Sequence, residues 1–308
     1  MRQLDKFRIY YNHTIHPELM RMERKRIRLL RLLILSGLLL LGVVLFEFYV
    51  NILLFTLVLA IPIVFYLLFL SYRIRKFLQT FKPNVMKLVL NFLQEEPNIG
   101  QLKYEPERSI PQKTFFESKL FACKPIIFEG EDFISGRVGE MDFDLCELTV
   151  EEEATVGTGL QNVFKGIFLH AIFPEETYGQ VACWPRHLKH FFLRSIKEFT
   201  WLDAYNMDDE ILYEPFREMF VTYASMNTHV AGILSEPMQE AIVDYCQVTG
   251  KELYFSFLGK HIFLAVTEPR DMMEPYIWRS NLSFELIRSF LEDVSLLLAI
   301  VEDFDKTH

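Results

Sequence analysis

Two charge-free runs constrain the chain more than any other feature. Residues 32–46 and 52–70 contain no Asp, Glu, Lys or Arg and are rich in Leu, Val, Ile and Phe. A hydrocarbon core of roughly 30 Å needs about 20 helical residues to cross it. The second run is long enough alone. The first reaches that length with Leu29 and Leu30, because Arg28 and Arg31 can extend their heads to the interface. Only Glu47-Phe48-Tyr49-Val50-Asn51 separates the runs, so the pattern predicts a helical hairpin. A pair of buried core helices is the competing reading, but no soluble core of this size needs two such runs in tandem. A cleaved signal peptide is disfavoured: the first run lacks a small-residue cleavage site, and another span follows at once.

Charge orients the hairpin. Arg21, Arg24, Lys25, Arg26, Arg28 and Arg31 precede the first run, and Arg73, Arg75, Lys76 and Lys82 follow the second. The connecting turn has no basic residue, so the positive-inside rule places both termini in the cytoplasm. Arg24, Lys25, Arg26, Arg28, Arg31, Arg73, Arg75 and Lys76 are the expected membrane-interface residues. Residues 1–83 carry 13 Lys and Arg against 4 Asp and Glu, a net +9, whereas residues 84–308 carry a net −18. The chain total of −9 hides this division. An acidic domain of that size lacks the clustered Lys and Arg that phosphate contacts need, so no nucleic-acid partner is expected. The aromatic share of 15% excludes intrinsic disorder. Cys123, Cys146, Cys183 and Cys246 are dispersed, without CxxC, as suits a reducing compartment.

The expected organisation is an N-terminal cytoplasmic or interfacial helical segment (1–28), a transmembrane hairpin (29–72), a juxtamembrane helix and linker (73–112) and an acidic cytoplasmic α+β domain (113–308). Leu4, Phe7 and Tyr11 share one helical face. That face suits either the inner leaflet or packing on the domain. His16-Pro17-Glu18 reads as a helix start. Residues 85–93 show helical spacing, and residues 95–112 read as irregular.

Beyond residue 112, residues 115–121 and 126–128 are candidate strands. Gly139-Glu140 predicts a two-residue hairpin turn. It would pair Val138 with Met141, Gly136 with Phe143, Ile134 with Leu145 and Asp132 with Glu147. Ile134, Val138, Met141, Phe143 and Leu145 then share an apolar face. Residues 163–173, 180–184 and 220–223 read as further strands, and 186–200 as a helix. Ser235 caps a helix ending at Gly250. Leu253, Phe255 and Phe257 face Val266, Leu264 and Ile262 in a second hairpin. A long helix over about 282–304 closes the chain, with Ile287, Phe290, Leu291, Val294, Leu297, Leu298 and Val301 as its buried stripe. Hairpin connections argue for α+β with an antiparallel sheet rather than a doubly wound parallel one.

The chemistry-bearing residues are sparse. Glu131, Asp132 and Glu147 form a candidate acidic site at the end of the apolar hairpin face. Their oxygens suit a divalent cation such as Mg²⁺ or Ca²⁺, or else line a solvated rim. Cys183, His187 and His190 have loose metal-ligand spacing, with Glu175 or Glu176 as a conceivable fourth ligand; a surface His pair beside a buried Cys is the plainer reading. His170 lies in an apolar strand, as a packed residue rather than a base. Gly157-Thr158-Gly159 lacks the rest of a phosphate loop. No nucleophile, base and orienter assemble, so no catalytic residue and no resident cofactor are expected.

The chain also resembles a bacterial membrane-protein family, the domain of unknown function three-one-three-seven. The resemblance rests on Tyr10-Tyr11, the two spans, Phe121, Gly130-Glu131-Asp132-Phe133-Ile134-Ser135-Gly136 and Glu147-Leu148. It continues with Phe164-Lys165-Gly166-Ile167-Phe168, Phe220-Val221-Thr222-Tyr223, Ala231 to Leu234, Pro237-Met238 and Phe255-Ser256-Phe257. Gly232 departs from it, standing where relatives carry a larger residue. The resemblance implies an inner-membrane protein with a cytoplasmic C-terminal domain, no known activity, and a LemA-like membrane protein as a candidate partner.

The readings reduce to a membrane-anchored protein-interaction or scaffold module and a divalent-cation-dependent enzyme near the inner leaflet. A homo-oligomer packed through Ser36, Gly37 and Gly42 is a third expectation.

Overall fold

The computed structural model describes residues 2–50, 53–154, 159–174, 179–201, 203–226, 228–271 and 273–307. Its architecture is α+β and divides into two compact units. One comprises Met1–Phe92 with Met273–Ile287; the other comprises Leu93–Met272 with Arg288–His308.

The first unit is built on long helices. Helix α1 (Arg2–Tyr10) passes through a π-helical turn (Tyr11–Ile15) into α2 (His16–Val50). Helix α2 does begin at the expected His16 and runs unbroken through the first charge-free run, but a π-helical turn and not a free helix end precedes it. Pro17 lacks an N–H and its ring would strike the carbonyl four residues back. The wider turn, closed by the His16 N–H on the Tyr11 carbonyl, lets the helix continue through it. Helix α3 (Leu53–Leu93) is likewise continuous through Pro62 and Pro83. The separate juxtamembrane helix expected over 85–93 is its last part. Only residues 51 and 52, outside the described residues, lie between α2 and α3.

Both helices are long and apolar enough to cross a membrane. In the most apolar stretch of each, only 11% and 6% of residues are buried. Leu38, Leu45, Val58 and Phe65 are among the exposed side chains. The amphipathic face at the N-terminus is folded inward. Phe7 packs on Phe92 at 5.0 Å, Tyr11 meets Phe284 edge-on at 4.8 Å, and the Tyr10 hydroxyl donates to the Leu88 carbonyl at 3.2 Å.

The second unit is a nine-stranded antiparallel sheet with helices. Its strands are β1 (Lys103–Glu105), β2 (Pro125–Val138), β3 (Met141–Glu153), β4 (Leu160–Ile172), β5 (Gln180–Pro185), β6 (Ala204–Asn206), β7 (Phe220–Ser225), β8 (Leu253–Leu258) and β9 (His261–Thr267). They lie in the order β1-β2-β3-β4-β9-β8-β5-β7-β6. Its helices are α4 (Gln112–Glu117), α5 (Leu193–Thr200), α6 (Glu214–Met219), α7 (Val230–Ile233) and α8 (Glu236–Thr249). Helix α9 (Phe284–Thr307) begins in the first unit and runs into the second.

Both faces of the sheet are covered, which explains why β8 is buried along almost its whole length. On one face Phe115, Phe121, Phe164, Phe168, Trp184 and Tyr254 form an aromatic core. On the other, Phe304 of α9 stacks on Phe257 at 5.1 Å and meets Phe173 at 5.3 Å. The α9 stripe expected from the sequence is buried throughout. The second hairpin has the expected register, with Leu253, Phe255 and Phe257 opposite Val266, Leu264 and Ile262.

Three expectations are corrected here. Residues 115–121 are not a strand: Phe115 and Phe116 lie in α4, which points Phe115 into the aromatic core. The stretch 95–112, read as irregular, contains β1, which borders β2. The helix expected over 186–200 is reduced to a 3-10 turn (Arg186–Leu188) followed by α5.

Candidate functional site

The acidic cluster sits on the first hairpin. Gly139 at φ +57° makes the turn that returns β2 into β3. The expected register holds from Val138–Met141 to Ile134–Leu145, and Ile134, Val138, Met141, Phe143 and Leu145 are all buried. Arg137 and Asp142 pair on the opposite face at 2.9 Å.

Beyond Ile134 the register shifts by one. Glu131, not Asp132, pairs with Glu147. Asp132 and Phe133 together oppose Cys146, so the strand carries a bulge there. Asp132 has φ +59°, a left-handed conformation that Asp and Asn tolerate better than other side-chain-bearing residues. The bulge swings the Asp132 side chain out of strict alternation. Its N–H donates to the Pro106 carbonyl at 3.0 Å, and its Oδ1 accepts from the Tyr104 hydroxyl at 2.5 Å.

The shift gathers the three carboxylates rather than separating them. One oxygen from each of Glu131, Asp132 and Glu147 lies within 4.8 Å of the others. Glu131 is exposed, whereas Asp132 and Glu147 are 2% and 4% exposed. Positive charge approaches from the next strand. Lys165 of β4 is held at 2.6 Å from Asp271, and its pKa is raised first by that hydrogen bond and also by Glu147 and Glu151. Cys146, beneath the bulge, receives the Ile110 N–H at 3.3 Å. Burial pushes its thiol up to about 12, with Asp144, Glu147 and Asp132 adding to the shift. That thiol is no nucleophile near neutral pH. An all-oxygen donor set of this kind suits a hard divalent cation better than zinc, whose sites are built mainly on Cys and His.

The other sequence candidates do not assemble. Cys183 is fully buried and donates to Thr222 Oγ1 at 3.5 Å, while His187 pairs with Glu252 at 3.1 Å. Among the described residues, no group of three potential ligands contains Cys183, His187 or His190. Glu175, Glu176 and Gly157-Thr158 lie outside the described residues. His170 stacks on Phe263 at 4.8 Å and shares a 2.9 Å hydrogen bond with His261, as a packed residue. Burial and the facing His261 lower its pKa to about 4.

Among the expected interface residues, Arg24, Lys25, Arg28, Arg31, Arg73, Arg75 and Lys76 are exposed. Arg26 departs from that expectation. It is buried, forked onto Glu23 at 2.7 and 2.9 Å, and donates to the Ile277 carbonyl at 2.6 Å. Nothing in its local sequence marks it off from its basic neighbours, because its partner is 251 residues away. Ser36 donates to the Leu32 carbonyl at 2.8 Å, and nothing crowds a Cβ at Gly37 or Gly42.

Fold and cluster define a class: an apolar two-helix hairpin joined to an antiparallel α+β unit that carries a bulge-built cluster of carboxylates. Residues 162–306 match the family model described as a protein of unknown function, DUF3137, so the resemblance read in the sequence holds over that segment. The match runs from β4 through α9 and leaves the acidic cluster upstream of it. No curated protein and no solved structure matches the chain.

Proposed function

We propose that the chain is a membrane-anchored module of the bacterial inner membrane, with both termini and the acidic α+β unit in the cytoplasm. One observation carries this reading: the most apolar stretches of α2 and α3 are almost wholly unburied. Helices of a soluble core would bury such faces, because apolar side chains in water cost about 25 cal/mol per Å². The exposed basic residues at the two open ends of the hairpin supply the orientation. The acidic unit then acts by binding a protein partner, for which a LemA-like membrane protein is the first candidate.

The test is accessibility in intact cells. A Phe48→Cys variant should react with a membrane-impermeant maleimide from outside, and the protein should resist carbonate extraction. A Leu212→Cys variant, at a position on the acidic unit that is 91% exposed, should stay unlabelled until lysis. Release by carbonate, or labelling at position 48 only after lysis, would overturn the reading. Co-purification from native membranes tests the partner.

A second reading has its own observation, the two buried carboxylates of Asp132 and Glu147 with Glu131 beside them. We propose that this cluster takes a divalent cation. Calorimetric titration with Mg²⁺, Mn²⁺ and Ca²⁺ should give binding heat that Asp132→Asn and Glu147→Gln abolish. Heat no greater than dilution would end it.

A further inference from the structure

The segment Met273–Ile287 packs with the N-terminal helices as part of the first unit. Its contacts follow an order along those helices. Glu274 pairs with Lys82 at 2.7 Å, Ile277 accepts from Arg26, Asn281 donates to Glu23 at 3.4 Å, and Phe284 lies against Tyr11. Lys82 stands about 18 Å along α3 from Leu70, the last residue of the second run, at 1.5 Å per residue. Arg26 stands only about 5 to 9 Å from the start of the first run on the same measure. The segment therefore climbs toward the apolar part of the hairpin, turns at residues 277–279, and descends again.

What the apex carries suits that height. Tyr276 and Trp278 are 55% and 67% exposed, although a folded chain could have turned them inward. Arg279 beside them is also exposed. The one acidic residue in the climb, Glu274, is neutralised by Lys82. Exposed Arg24, Lys25 and Arg28 lie on α2 at the same level. Trp and Tyr favour the boundary between hydrocarbon and water, where an amphipathic ring has both environments. The polar layers flanking the hydrocarbon core are roughly 5 to 8 Å thick on each side. Arg26, buried and bonded to the apex backbone, fixes the loop at that depth.

We propose that this strap is a membrane-interface anchor, with Tyr276, Trp278 and Arg279 seated in the phospholipid headgroup layer. The proposal rests on the membrane reading above, so its test separates the two. The full chain is placed in vesicles of phosphatidylcholine and phosphatidylglycerol brominated at shallow or deep acyl positions. A Trp201→Phe variant reports Trp278, and Trp184, fully buried, gives a constant background. A second variant with Trp201→Phe, Trp278→Phe and Phe65→Trp reports the second helix. Trp278 should lose most of its emission to shallow bromines, and resist iodide compared with a free tryptophan amide. The Phe65→Trp reporter should be quenched by deep bromines. If that reporter is quenched while Trp278 yields to iodide and ignores bromine, the anchor is wrong and the membrane reading stands. If neither responds to bromine, both fall.

Discussion

At the scale of single residues, Asp132 decides the shape of the acidic cluster. Its left-handed backbone favours Asn or Asp over a plain side chain, by about 1 kcal/mol or more. Asp132→Asn should therefore keep the denaturation midpoint near that of the parent, while Asp132→Ala lowers stability by about 1 kcal/mol in urea unfolding. A larger loss in the Asn variant than in the Ala variant would contradict the bulge. The register up to Ile134 was legible because alternation and the Gly139 turn agree. The bulge was not, since nothing in residues 129–134 marks an extra residue, and the pairing of Asp132 with Glu147 was one position out. A second residue-scale consequence concerns acid. The folded pKa of His170 lies below its usual value because burial and His261 oppose its charge. The unfolded chain then binds more protons between about pH 6.5 and 4, so this contribution to stability is complete above that window and is lost as pH falls through it. A His170→Phe variant should show a shallower drop in melting temperature from pH 7 to pH 4.5. An unchanged slope would assign the acid sensitivity elsewhere.

Elements were legible where local chemistry determines them. Helix α8 has its start and stop written out. Ser235 Oγ accepts the Met238 N–H at 3.2 Å, and Gly250 at φ +68° ends the helix. Ser235 also donates to Asp303 of α9 at 2.6 Å, a contact that no local signal announces. Ser235→Ala should cost about 1 to 2 kcal/mol, toward the upper end for a cap because both bonds go; Ser235→Asp would keep the cap acceptor but set it against Asp303. A loss well under 0.5 kcal/mol by chemical denaturation would remove the cap from the account. Residues 115–121 read as a strand because Phe is common in strands, but a helical turn brings Phe115 over the sheet. Strand β1 was hidden by its composition: Lys103 and Glu105 carry no apolar alternation, and the strand exists because the edge of β2 offers it partners.

For the whole molecule, the division into units cuts the chain at 92/93, 272/273 and 287/288, three places that the sequence alone does not mark as boundaries. Residues 273–283 have no periodicity, so their association with helices more than 180 residues earlier could not be read. A boundary drawn at residue 112 would strand them. Expressed alone, residues 94–308 lack Glu23, Arg26 and Lys82, the groups that hold this segment. Trypsin should cut after Arg279 faster in that fragment than in the full chain, as read by mass spectrometry. Equal rates would mean the segment does not depend on those helices. The two long apolar helices, by contrast, follow directly from the charge-free runs.

The order of the sheet has one more consequence. Its two outermost strands, β1 and β6, are three residues each. The part of β2 that β1 leaves uncovered begins at Pro125, which has no N–H, and ends in the kink at Asp132. A sheet closed off in this way offers no long straight row of open amides to a neighbour. Tethering a protein to a surface raises its local concentration against copies of itself, which is the condition under which strand-to-strand clumping is most costly. On the membrane-anchored reading proposed above, such margins would limit backbone pairing between crowded copies and leave side chains to decide which encounters last.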